Sequence, residues 1–144
     1  MATTTATLLE AMAARIEALA PDAGANDDDV FRATIGTSPG NRGGRAVYLT
    51  AQPGRRLPTG GQTCSDWESV VQLDMVYPDA PAEYGQRGVY GRAVEDAEDV
   101  LEDLYSWAVS AADLLRFDPD IATIGEDGNG NIVVSRTIAL RFVR

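Results

Sequence analysis

The sequence predicts an α+β domain, with a largely antiparallel sheet and two amphipathic helices packed on one face. Three observations predict it. Segments of period near 3.6 and segments of period two follow one another in the order helix, three strands, helix, two strands. Both helical stripes are amphipathic, so each needs a larger surface to cover. The connecting stretches are too short to divide the chain, and 144 residues with 44% hydrophobic content suit a single domain over 1–144.

The first helix reads from Thr3 to Leu19. Leu9, Met12, Ile16 and Leu19 fall three or four apart and make a narrow stripe. Thr7 with Glu10 forms a candidate capping box, an earlier threonine being the other possible start, and Pro21 and Gly24 stop the helix. "NDDDV" reads as a solvated turn, with cation binding as the alternative. Val30 to Gly36 is a short strand, "TSPGNRGG" a loop, and Arg45 to Gln52 a second strand with Val47, Leu49 and Ala51 on one face. In "WESVVQLDMVYP", Trp67, Val71, Leu73, Met75 and Tyr77 share one face, while Glu68, Gln72 and Asp74 share the other. After the connector "PDAPAEYGQRGVYGR" comes the second helix, Ala93 to Arg116, with the stripe Val94, Ala97, Leu101, Leu104, Ala108, Ala111 and Leu115. Glu95, Asp96, Glu98 and Asp99 fall in its first turns, where the helix dipole favours them. Glu95/Asp99 and Glu98/Glu102 are like-charge pairs that mildly oppose the helix, so the acidic face serves either a partner or solubility. The end reads as a hairpin, "IATIG", the turn "EDGNGN" and "IVVSRTIALRFVR". Ile132, Val134, Ile138, Leu140 and Phe142 share a face that Arg136 interrupts.

Composition narrows the chemistry. There is no histidine, which removes the commonest general base and metal ligand. The lone cysteine, Cys64, has no partner for an internal disulfide and no histidine to activate it. "DGNGN" opens like a calcium loop, but Ile132 and Ile138 stand where glycine and glutamate are needed. Glu68 and Asp74 lie roughly 20 Å apart along one strand and cannot share an ion. No catalytic residue, cofactor or metal is therefore expected. The net charge is −10, and all 12 basic residues are arginine, which fits a coding bias. That balance disfavours tight binding to a nucleic-acid backbone. No apolar run is long enough to span a membrane, and the opening residues lack the pattern of a secretory signal.

"PGRRLPTGGQTCSDW" is the segment that asks for a function. It holds two adjacent arginines, three glycines and two prolines before a strong strand. It lacks a phosphate-loop pattern, since it leads to a strand and not a helix. At about 14 residues it is long for a connection inside a compact domain. A loop of this kind, spanning about 53–66, reads as an assembly arm that is mobile when alone. Arg55, Arg56 and Trp67 mark the arm and its root. Tyr84, Arg87 and Tyr90 mark the second connector. Aromatic residues and arginine are enriched at interface hot spots, and Trp67 fits the core equally well.

The whole layout resembles the tail terminator (tail completion) proteins of long-tailed bacteriophages. The elements that carry the resemblance are the first amphipathic helix, the "FRATIG" and "AVYLTAQP" strands, the long loop, "SVVQLDMVYP", the acidic helix and the closing "ALRFVR". It covers most of the chain. It implies a homohexameric ring at the head-proximal end of the tail, in the virion neck, assembled in the host cytoplasm. Its partners would be the major tail tube protein and a head-tail connector or stopper protein, with DNA passing through the lumen without specific binding. Acidic residues that line such a lumen would repel phosphate. Three other readings stand beside it: another neck protein, a small acidic adaptor, and a carboxylate metal enzyme.

Overall fold

The computed structural model describes residues 3–19, 31–36, 45–58, 66–77, 88–126, 128 and 131–144. Two helices, α1 (Thr5–Glu17) and α2 (Gly88–Ser110), accompany a mixed, mostly antiparallel sheet. Its strands are β1 (Phe31–Ile35), β2 (Arg45–Ala51), β3 (Arg55–Arg56), β4 (Asp66–Tyr77), β5 (Leu114–Pro119), β6 (Thr123–Glu126) and β7 (Ile132–Val143). The order across the sheet is β1-β2-β4-β7-β5, with β3 beside β4 and β6 beside β7. Only β1 and β2 run parallel among the described pairs. An α+β fold results, as the alternation of periods required.

β4 and β7 form the spine. They pair over their whole length, from Asp66 opposite Val143 to Tyr77 opposite Ile132. Val71, Leu73, Met75 and Tyr77 are buried with Val134, Ile138, Leu140 and Phe142 in one core. Leu8, Leu9, Met12 and Ile16 of α1 join that core, as do Ala93, Ala97, Val100, Leu104 and Trp107 of α2. Burial of a large apolar side chain is worth about 2 kcal/mol, so this cluster is what holds helices to sheet.

Four local readings are corrected. The capping box of α1 is Thr4 with Thr7, not Thr7 with Glu10: Thr4 Oγ1 accepts from the Thr7 amide at 3.2 Å and Thr7 Oγ1 from the Thr4 amide at 2.8 Å. The earlier threonine wins because both hydroxyls can then bond reciprocally. α2 begins at Gly88, whose φ of +66° lies in the left-handed region that favours glycine, so its first turn comes before the acids and contains none. Its buried face is rotated from the expected stripe, because Val100 and Trp107 bury more apolar surface than Val94 and Ala108. Finally, α2 stops at Ser110, and residues 114–119, expected to continue and then end the helix, form β5. Pairing with Ile138–Phe142 of β7 overrides a helical spacing that only Leu115 would have extended.

Each sheet edge is guarded. At β1 the Ala33 amide donates to Glu17 Oε1 at 3.2 Å. At β5 the register shifts between Leu114 and Arg116, and Pro119 carries no N–H.

Candidate interaction site

The arm departs from β2 and returns to the sheet at once. Arg55 and Arg56 form β3, opposite Glu68 and Trp67 of β4. Both arginines are exposed, and the Arg55 guanidinium bonds Glu68 Oε1 at 2.5 Å. Residues 59–65, which include Cys64, lie outside the described residues. Gly54 gives room where the arm leaves: a Cβ there would stand 2.8 Å from Thr5 Oγ1, so the Thr5 side chain would have to turn aside.

Trp67 is half-buried and packs against the core on one side. On the other, the Arg144 guanidinium carbon stands 4.6 Å from its ring centre. Such a cation–π contact contributes about 0.5–1 kcal/mol at an exposed site. Pro53, Gly54, Trp67, Phe142 and Arg144 meet the start of α1 around an open cleft of about 220 Å³. Trp67 thus belongs to both readings given above: it seals the core and walls a surface cleft.

One row of charges crosses the sheet here. Arg55, Glu68, Arg141 and Arg116 are consecutive partners across β3, β4, β7 and β5. Arg141 donates to Asp66 at 2.7 Å, and Arg116 lies 2.7 Å from Asp118. Two arginines directly opposed repel one another, so these carboxylates are what make the row tolerable. The row was not visible in sequence. Arg116 sits in a strand read as helix, and Arg141 and Arg144 reach Glu68 and Trp67 only through the β4–β7 register. The one available signal was that Arg136, Arg141 and Arg144 crowd the last strand.

Tyr90 lies elsewhere. It is exposed in the first turn of α2. That end of α2 is fixed by Asp96, which accepts from the Tyr77 hydroxyl at 2.7 Å at the far end of β4. With 12 residues in β4, at about 3.3 Å per residue, Tyr90 and Trp67 are near opposite ends of a strand roughly 36 Å long. Tyr84 and Arg87 fall outside the described residues. The predicted contact residues therefore divide into an arm cluster at one end and Tyr90 at the other.

Asp96, one of the acids that the sequence places in the first turns of this helix, is buried, with Arg92 Nε at 3.5 Å. Glu98, Asp99 and Glu102 are the exposed acids. Among the described residues, no group of three or more carboxylates or other ligand side chains is placed to hold a metal ion, and no helix is long and apolar enough to cross a membrane. The space under α2 that Leu73, Leu101 and Arg136 bound holds about 10 Å³, room for about one water. No family model matches the chain, and no curated protein matches it.

Proposed function

We propose that the chain is a structural virion protein, a tail terminator whose copies form a homohexameric ring closing the head-proximal end of a phage tail tube. The observation that carries this reading is the two-ended layout. The arm with Arg55, Arg56 and Trp67 stands at one end of β4, and Tyr90 stands at the other. A ring between a tube and a head-side connector needs such a layout, with one set of contacts on each face. Exposed carboxylates on α2 supply a surface that repels DNA phosphate, as the wall of a DNA passage should.

The test is solution mass by light scattering over a range of concentration and salt, followed by co-sedimentation with purified tail tubes. A hexamer, or a monomer that tubes recruit as a ring, is the expected result. A monomer that tubes do not recruit removes the terminator reading. Capture by a head-side connector without tubes transfers it to another neck protein, and a monomer or dimer with neither activity to an adaptor.

A further inference from the structure

We draw no further inference here: the strongest candidate, the open cleft that Pro53, Trp67, Phe142 and Arg144 line at the root of the arm, belongs to the interaction site already described, and nothing in the structure shows what covers it.

Discussion

Asp96 has only 3% of its surface exposed, on a helix whose other acids mostly face water. Its partners are the Tyr77 hydroxyl and Arg92, which lies one turn earlier on α2. A buried carboxylate is tolerable only with such partners, and removing one side of a buried pair commonly costs 3–5 kcal/mol. Asp96→Ala should therefore lower stability by about 3 kcal/mol, read as a shift in the urea midpoint at unchanged slope. Tyr77→Phe should cost about 1–3 kcal/mol by the same measurement, as it removes one donor from a buried acceptor. If both are neutral, the carboxylate is not held as described. Ser69 makes the opposite case. It is 5% exposed, and among the described residues its Oγ has no hydrogen-bond partner. Ser69→Ala should be neutral or stabilising by up to about 1 kcal/mol, and a loss of stability would reveal a bond to the hydroxyl. Neither role was legible in sequence. Asp96 is one acid among several similar neighbours, and only the placement of α2 over Tyr77 singles it out.

Among the elements, those whose period is set by one neighbouring surface were the most legible. β4 and β7 alternate cleanly because one face of each meets the core, and their ends agree with the sequence within a residue or two. The segment 114–119 departs from its local helical spacing because its decisive partner is remote in sequence. Leu114 and Phe117 match Phe142 and Leu140 across β7, and no local spacing records that. Phe117 also meets the Tyr105 and Trp107 rings edge-on, at 5.1 and 6.4 Å. Phe117→Ala should cost about 2–3 kcal/mol, somewhat below the usual figure for a fully buried Phe because the ring is only half-buried. Hydrogen exchange of the β5 amides should quicken in that variant more than exchange in β2. Equal quickening would mean that β5 does not open as a separate unit. The candidate site followed the same division. Arg55, Arg56 and Trp67 were found from local composition, whereas Arg116, Arg141 and Arg144 join them only across strands.

At the scale of the molecule, the charge of −10 bears on how copies would meet in the proposed ring. In that ring every added subunit would bring like charge, so the contact between copies would form against a repulsive background. Salt screens that background over a Debye length of about 10 Å at 0.1 M. The oligomeric fraction should therefore rise with ionic strength at fixed concentration, as light scattering would record. A fall with salt would mean that ion pairs across the contact outweigh the net repulsion. One further consequence comes from where the two tryptophans fall. Trp67 lies under Arg144 at the root of the arm, and Trp107 lies against Phe117 beneath the β5 edge. The two tryptophans are the only ones in the chain, one at the root of the arm and one in the core beside β5. Under excitation selective for tryptophan over the five tyrosines, a Trp107→Phe variant reports on events at the arm and a Trp67→Phe variant on events around β5. A change at the arm and a change around β5 then become separable signals in the same unlabelled protein, and their order in time can be read directly.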